Sequence, residues 1–200
     1  MEKLPFAEKY ASNNPISRYL ISHFIKSLSS LVRKVAPRSL LEIGCGEGHL
    51  AFALAQEGYS VHGLDVRANA IDLASRHARE TRLESRLHFE VGDLYTFPLE
   101  PFQQELLICC EVLEHLDCPE AALKRLAELS AEYAIFSVPR EPLWCFLNFC
   151  RLKYWRSLGN TPGHVNHWSE NAFLSFLRAR YTVLEVLTPL PWTMALCKKV

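Results

Sequence analysis

The chain of 200 residues lacks a net charge, a metal-type cysteine spacing and any long apolar run. Its 22 Lys and Arg residues balance 22 Asp and Glu residues, so no overall charge attracts it to nucleic acid or to an anionic membrane. The seven cysteines form no C-x-x-C, which suggests neither a zinc site nor a disulfide framework. Because the N-terminus (Met1–Pro5) has no signal-peptide core, we expect a cytoplasmic protein with reduced thiols.

The chain has the length and the apolar content of one folded domain. No apolar stretch approaches the roughly 20 residues of a membrane span, so we expect no such span. Hydrophobic residues make up 49% of the sequence, which is enough for a sizeable core. We predict a single domain over residues 1–200, with an N-terminal helical lid at 1–36 and a substrate-side insertion at 139–168. The oligomeric state stays open.

Strand and helix patterns alternate along most of the chain. Helices are predicted at 16–35, 48–57, 68–80, 118–129 and 170–179. Strands are predicted at 39–43, 60–64, 87–91, 106–110, 133–138, 181–187 and 193–198. This alternation indicates an α/β fold with three layers and a mostly parallel sheet. No helix separates the last two strands, which should therefore be antiparallel.

A glycine-rich turn follows the first predicted strand. Gly44, Gly46 and Gly48 alternate after the apolar run that ends at Ile43, and a helical pattern begins at His49. Glycine permits close backbone approach to a ligand, and the helix start offers unpaired N–H groups. The spacing is one residue shorter than the dinucleotide pattern G-x-G-x-x-G. A nucleotide-like cofactor other than a dinucleotide is therefore expected, the alternative being an ordinary tight turn.

The string E-I-G-C-G-E-G at 42–48 resembles the first motif of class I S-adenosylmethionine-dependent methyltransferases. The resemblance implies a Rossmann-like, seven-stranded sheet with one antiparallel strand near the C-terminus, and S-adenosyl-L-methionine as cofactor. Asp65, which ends the second strand, can accept the ribose hydroxyl protons, unless it is only a capping residue. By the resemblance, Asp93 binds the adenine amino group. The expected cofactor-binding residues are Gly44, Cys45, Gly46, Gly48, Asp65, Val66, Asp93, Leu94 and Cys110.

The string E-V-L-E-H at 111–115 looks like the segment after the fourth strand in small-molecule methyltransferases of ubiquinone and biotin biosynthesis. The same string has a second interpretation. Glu111, Glu114 and His115, with His164 or His167, would form a metal-ligand set like that of RNA 2′-O-methyltransferases acting on small RNAs. The downstream D-H-x-F-E-W pattern of those RNA enzymes is missing. We therefore expect no bound metal.

The segment 139–168 follows the fifth strand and should lie over the carboxyl edge of the sheet. Its last part, from Gly163 to Trp168, holds two imidazoles, an amide and an indole, which are costly to bury without partners. Such a mixed cluster suits a substrate pocket. We therefore take His164 and His167 as the catalytic candidates, and His115 is a third imidazole that could serve as a general base. The alternative is that these side chains only pin the loop.

The function that we expect is S-adenosylmethionine-dependent methyl transfer, by in-line displacement, to a small-molecule acceptor. Arginines at 76, 79, 82 and 86 are interspersed with glutamates, which is typical of a solvated helix face, so nucleic acid is not an expected partner. Two alternatives remain: a metal-dependent RNA 2′-O-methyltransferase, and a non-catalytic cofactor-binding subunit or scaffold. The sequence leaves the substrate and the acceptor atom open.

Overall fold

The computed structural model of the chain describes residues 14–98, 103–145 and 163–200. Its helices are α1 (Pro15–Val35), α2 (His49–Gln56), α3 (Ala68–Glu80), α4 (Pro119–Glu128) and α5 (Glu170–Leu177). Its strands are β1 (Ser39–Ile43), β2 (Ser60–Asp65), β3 (Leu87–Val91), β4 (Leu106–Cys110), β5 (Tyr133–Pro139), β6 (Tyr181–Leu187) and β7 (Trp192–Lys199). A short 3₁₀ turn spans Leu113–His115. The predicted elements lie within two residues of these bounds.

The seven strands form one sheet in the order β3-β2-β1-β4-β5-β7-β6. Strands β1 to β5 pair in parallel, and β7 is antiparallel to both of its neighbours. The predicted fold class, a mostly parallel seven-stranded sheet with one antiparallel strand near the C-terminus, is therefore confirmed. The order reverses between β1 and β4, and at such a switch point the loops at the carboxyl ends separate to leave a crevice.

Side chains that alternate along the central strands build a core on each face of the sheet. In β4, Leu106, Ile108 and Cys110 face one core, whereas Leu107 and Cys109 face the other. Helices α1, α2 and α3 contribute to the first core, and α4 and α5 contribute to the second. Burial on both faces explains why β4 reads as an uninterrupted apolar run.

Helix α1 has clear signals at both ends. The Asn14 side chain caps it by accepting a hydrogen bond from the backbone N–H of Ile16 at 2.9 Å. Ala36 ends it in the left-handed conformation, with its N–H bonded to the Val32 carbonyl. Between these ends the helix packs on the sheet, where the Phe24 ring meets the Trp192 ring edge-on at 5.0 Å.

The domain subdivision proposed from the sequence stays a prediction. Residues 1–13 of the expected lid and 146–162 of the expected insertion lie outside the described residues. None of the helices in the described part of the chain combines the length and the apolarity that crossing a membrane requires.

The register of the parallel strands aligns their carboxyl ends. Ile43 pairs with Leu64, Asp65 pairs with Val91, and Cys110 pairs with Ser137. The residues that follow β1, β2, β3 and β4 therefore meet at one edge of the sheet. The glycine turn, Asp65, Asp93 and Glu111 all follow or end these strands, and this edge holds the candidate site.

Candidate functional site

The turn from Gly44 to Gly48 folds back over the end of β2. Its three glycines have positive φ angles of 72°, 56° and 81°, which residues with a Cβ rarely adopt. This geometry directs successive N–H groups toward β2. The N–H groups of Gly44 and Cys45 bond the Leu64 carbonyl at 2.7 and 3.1 Å. The N–H of Gly46 bonds Asp65 Oδ2 at 2.7 Å.

The glycines are also required by their surroundings. A Cβ on Gly44 would collide with Cγ2 of Val112, which follows β4. A Cβ on Gly48 would lie 2.8 Å from the Phe89 ring of β3. Val112 after β4 and Phe89 in β3 therefore confine the turn from two sides. These contacts define the shape of the turn without a ligand.

The Asp65 carboxylate is buried and forms an ion pair with Arg67. Its Oδ1 accepts hydrogen bonds from the Arg67 backbone N–H at 2.9 Å and from Nε at 3.0 Å. Its Oδ2 accepts from Arg67 Nη2 at 3.1 Å, beside the Gly46 N–H. The hydrogen bonds to Asp65 raise the pKa of the Arg67 guanidinium. The oxygens predicted to hold a ribose thus already carry four donors.

A cavity of about 470 Å³ opens at this edge, within the usual range for small-molecule sites. Five acidic side chains line it and Arg67 is the one Lys or Arg among its described lining residues. The acidic members are Glu42, Glu47, Asp65, Asp93 and Glu111. A concave site with this excess of carboxyl groups favours a cationic ligand and disfavours a pyrophosphate.

Glu42 is the most deeply buried of these acids. Its pKa is raised from 4.5 to about 8, mainly by burial and then by the nearby Asp65 charge, while a hydrogen bond from the Ala51 backbone acts in the opposite direction. Glu42 therefore keeps its proton at neutral pH. Two carboxyl groups can then share this small volume, because one is neutral and the other is paired with Arg67.

The remaining residues predicted to bind cofactor also reach the cavity. Cys45, Val66, Asp93, Leu94 and Cys110 all line it together with the turn. Asp93 is exposed and its Oδ1 accepts the Tyr95 N–H at 2.8 Å, while the Leu94 carbonyl accepts from Arg125 Nε at 2.7 Å. Burial raises the pKa values of the Cys45 and Cys110 thiols, so neither is a thiolate nucleophile.

The segment after β4 separates residues that the E-V-L-E-H pattern predicts to act together. Glu111 has a positive φ of 60°, and its carboxylate accepts from Trp192 Nε1 at 2.5 Å and from Ser137 Oγ at 3.3 Å. Glu114 is instead buried, and its carboxylate, one His115 nitrogen and one His164 nitrogen lie within 4.8 Å of one another. Three of the four side chains of the alternative metal-ligand set therefore converge, without Glu111.

His115, which the sequence analysis did not place first, is the histidine of this group that lines the cavity. Its Nδ1 lies 2.8 Å from the Gly163 carbonyl, so Nδ1 carries a proton and donates it. His164 lies behind it, buried, edge-on to the His115 ring at 4.9 Å and stacked on the Trp144 ring at 5.9 Å. His164 does not belong to the cavity lining.

His167 lies apart from His164. Its Nδ1 is 3.4 Å from Glu141 Oε1, and its side chain is 42% exposed. Asn166 is the residue that holds the loop in place. Its side-chain amide donates to the carbonyls of Leu113 and Leu116, and the N–H groups of Val165 and Asn166 bond the Glu114 carbonyl. These bonds fix the loop against the turn that carries His115.

The sequence analysis missed the roles of Arg67 and of Val112. An opposite charge two residues after Asp65 was the only available signal for the first, and it is a weak one because such pairs are common at surfaces. No local signal existed for Val112, since its contact with Gly44 joins segments distant in the chain.

Comparison with known proteins supports the resemblance found in the sequence. A family model described as "Methyltransferase domain" matches residues 40–132. The ubiquinone biosynthesis O-methyltransferase of Coxiella burnetii (strain Dugway 5J108-111) is 32% identical over 92 residues, which are 46% of this chain and 38% of that protein. The chain thus matches well under half the length of this curated relative.

Solved structures show the same fold over nearly the whole chain. The magnesium protoporphyrin IX methyltransferase ChlM from Synechocystis PCC 6803, with bound SAH, superposes with a TM-score of 0.73 at 19% identity and covers 98% of this chain and 93% of that one. The methyltransferase domain of bacterial CtHen1-CN gives 0.67 at 19% identity, with 90% and 99% covered.

Residues 40–132 therefore match a methyltransferase domain by sequence, and the fold is shared with methyltransferases of known structure. The superfamily predicted from E-I-G-C-G-E-G is therefore confirmed. In this methyltransferase domain the glycine turn, Asp65 and Asp93 occupy one cavity at the switch in strand order. The roles of the individual side chains stay predictions.

Glu42 gives the domain a measurable pH dependence. Its pKa of about 8 exceeds the value of 4.5 for a free side chain, so between these values the folded state holds a proton that the unfolded state releases. The free energy of unfolding should therefore fall as the pH rises through this window, by at most about 1.4 kcal/mol per pH unit. Glu42→Gln, which mimics the protonated carboxyl, should remove this contribution.

The measurement is urea unfolding of the wild type and of Glu42→Gln at several pH values from about 5 to about 8.5. The difference between the two curves isolates Glu42, since the other titrating groups are shared. We expect the variant to gain stability relative to the wild type as the pH rises. Parallel curves over the whole range would show that Glu42 titrates normally.

Proposed function

We propose that this protein transfers a methyl group from S-adenosylmethionine to a small-molecule acceptor. The observation that carries the proposal is the acidic cavity over the glycine turn. The cofactor is a cation with an ammonium and a sulfonium group, which this lining attracts. Its adenosine carries no pyrophosphate, which suits the short glycine spacing. The 470 Å³ volume accommodates a ligand of this class.

The chain's own residues supply binding, orientation and exclusion of water. The Gly44–Gly48 turn bounds the cavity on the side of β1 and β2, and Asp65 and Asp93 offer carboxylates at the neighbouring strand ends. The ribose hydroxyls would bond Asp65 by replacing the Arg67 side chain, while the Gly46 N–H stays in place. Methyl transfer by in-line displacement then depends mainly on this orientation. The cofactor supplies the electrophilic methyl.

The acceptor side belongs to the same proposal. His115 lines the cavity, with Nδ1 bonded to the Gly163 carbonyl. His164 supports the His115 ring from behind, and His167 pairs with Glu141 at the start of the 139–168 segment. We assign His164 a positioning role that acts through His115, and we keep His167, which lies outside the cavity lining, as a contact for acceptor atoms beyond the cavity. The cytoplasmic location expected from the sequence stays a prediction.

Cofactor binding is tested by thermal unfolding with S-adenosylmethionine, S-adenosylhomocysteine or NADH. Both adenosyl compounds should raise the melting temperature, since they bind the folded state, and NADH should not. Asp65→Asn should lower the affinity for both adenosyl compounds by about tenfold or more, because hydrogen bonds to a charged acceptor are lost. A response to NADH alone would overturn the proposal.

Two matched variants sharpen this test. Asp72→Asn removes a carboxylate from an exposed position on α3 outside the cavity and should leave affinity unchanged. Arg67→Ala frees the Asp65 oxygens from the guanidinium and should keep or improve affinity. If Arg67→Ala abolishes binding while the protein stays folded, the guanidinium itself contacts the ligand and the exchange at Asp65 is wrong.

The acceptor assignment is tested by methyl transfer from labelled S-adenosylmethionine to a panel of small hydroxyl, amine and thiol compounds. His164→Ala and His167→Ala should each lower transfer to the best acceptor by about tenfold or more, as loss of a proton-transfer arrangement does. S-adenosylhomocysteine affinity should stay within a few-fold. His88→Ala, on the exposed edge strand β3, is the control and should leave transfer unchanged. Absence of label on every compound would favour the non-catalytic subunit.

A second candidate function has one observation in its favour. The ligand atoms of Glu114, His115 and His164 lie within 4.8 Å of one another, as a metal-dependent RNA 2′-O-methyltransferase would require. Against it, Glu111 is engaged with Trp192 and Ser137 on another side. The missing D-H-x-F-E-W pattern also argues against it. We therefore rank it second.

Elemental analysis and chelation separate the two functions. The small-molecule proposal predicts that Glu114 and His164 hold no Mg²⁺, Mn²⁺ or Zn²⁺. Any metal that the protein binds elsewhere should therefore remain bound in Glu114→Gln and in His164→Gln. It also predicts that EDTA does not abolish transfer. Stoichiometric metal that both variants lose, with chelator-sensitive transfer to the 3′ end of a short RNA, would reverse the ranking.

A further inference from the structure

A second group of metal-ligating side chains lies outside the methyltransferase cavity. It consists of Glu141, Cys145 and His167, whose ligand atoms all lie within 4.8 Å of one another. Glu141 Oε1 is 3.2 Å from Cys145 Sγ and 3.4 Å from His167 Nδ1. The proposed methyl transfer gives Glu141 and Cys145 no role, and none of the three residues lines the cavity.

Backbone hydrogen bonds hold these three positions together, and Glu141 Oε2 adds to them by accepting the Cys145 N–H at 3.1 Å. The Glu141 N–H donates to the Trp168 carbonyl at 2.9 Å, and the backbones of Arg140 and Trp168 pair in an isolated parallel β-bridge. A helical turn follows, in which the Trp144 N–H bonds the Arg140 carbonyl, so Glu141 and Cys145 lie one turn apart on one face. The strand end and the returning loop thus present three ligands to one point.

The spacing fits a tetrahedral ion. Zinc binds sulfur at about 2.3 Å and nitrogen or oxygen at about 2.0–2.2 Å, so ligand atoms around it are about 3.3–3.7 Å apart. The two distances to Glu141 Oε1, 3.2 and 3.4 Å, lie close to this range. A thiolate with an imidazole selects zinc-class ions over Mg²⁺ or Ca²⁺, which prefer all-oxygen sites.

We propose that Glu141, Cys145 and His167 bind one zinc-class divalent ion. The carboxylate and the imidazole each donate a lone pair. The thiol loses its proton to solvent as the sulfur–metal bond forms, so each ion bound releases one proton from the thiol. Three protein ligands leave the fourth position of the tetrahedron to water or to a further ligand.

The ion joins the two ends of the 139–168 segment. Glu141 and Cys145 lie where the segment leaves β5, and His167 lies where it returns toward α5. An ion at this point cross-links residues 141–145 to His167 and lowers the conformational freedom of these two described ends relative to each other. This conclusion is independent of whether the protein transfers methyl groups.

Cobalt is the probe, because Co²⁺ takes zinc sites and reports a bound thiolate by a charge-transfer band in the near ultraviolet. The full chain, purified and freed of metal with a chelator, is titrated with Co²⁺ and then with Zn²⁺. We expect a thiolate-to-cobalt band that saturates at one ion per chain and that Zn²⁺ removes. Cys145→Ser should abolish the band, and His167→Gln should weaken Co²⁺ affinity by at least about tenfold.

Cys118→Ser is the matched control, since Cys118 is a free, exposed thiol away from the cluster, and it should leave the titration unchanged. His164→Gln should also leave it unchanged, which separates this site from the Glu114 group. Circular dichroism of each variant checks folding. A titration without a charge-transfer band, or a band that persists in Cys145→Ser, would overturn the proposal. The short Sγ to Oε1 distance would then be only a thiol–carboxylate hydrogen bond.

Discussion

The hydrogen bonds that attach the Gly44–Gly48 turn to the end of β2 are the constraint on which the site depends. Two N–H groups meet the Leu64 carbonyl and a third meets Asp65. Positive φ angles at the alternating glycines Gly44, Gly46 and Gly48 give the turn the shape in which these three N–H groups reach β2. These bonds fix the positions of the start of α2, the Asp65 carboxylate and the cavity relative to one another.

This arrangement places the carboxyl groups of Glu42 and Asp65 close together in a buried volume, where two negative charges would repel each other. Two features of the structure avoid this repulsion. Glu42 is fully buried and keeps its proton, with a pKa of about 8. The Asp65 carboxylate accepts four hydrogen bonds, three from Arg67 and one from the Gly46 N–H. The buried charge is thus paired, as low-dielectric surroundings require. The site keeps an acidic lining without the full cost of uncompensated charge.

The order of strands and helices was predictable because each element carries its own periodicity and end signals. Asn14 and Ser169 cap their helices as short polar residues do, and the apolar run of β4 reflects burial on two faces. The glycine turn and Asp65 were also predictable, since their chemistry is local in the sequence.

Contacts between distant segments were not predictable in this way. The sequence groups Glu111 with Glu114, yet a positive φ at Glu111 turns its carboxylate toward Trp192. It also groups His164 with His167, yet one packs behind His115 and the other pairs with Glu141. Each outcome depends on a partner that is far away in the chain, and periodicity carries no information about such partners.

The contact between Gly44 and Val112 has a consequence for how this fold can vary. A Cβ at position 44 and the side chain at position 112 would occupy the same space, so neither residue can be enlarged independently of the other. Shortening Val112 would relieve the collision but not the backbone strain, because Gly44 has a φ of 72°. Homologues that vary at position 112 should therefore become smaller or change shape there while glycine persists at position 44. The residue after β4 and the turn after β1 therefore share one limited space at the wall of the cavity.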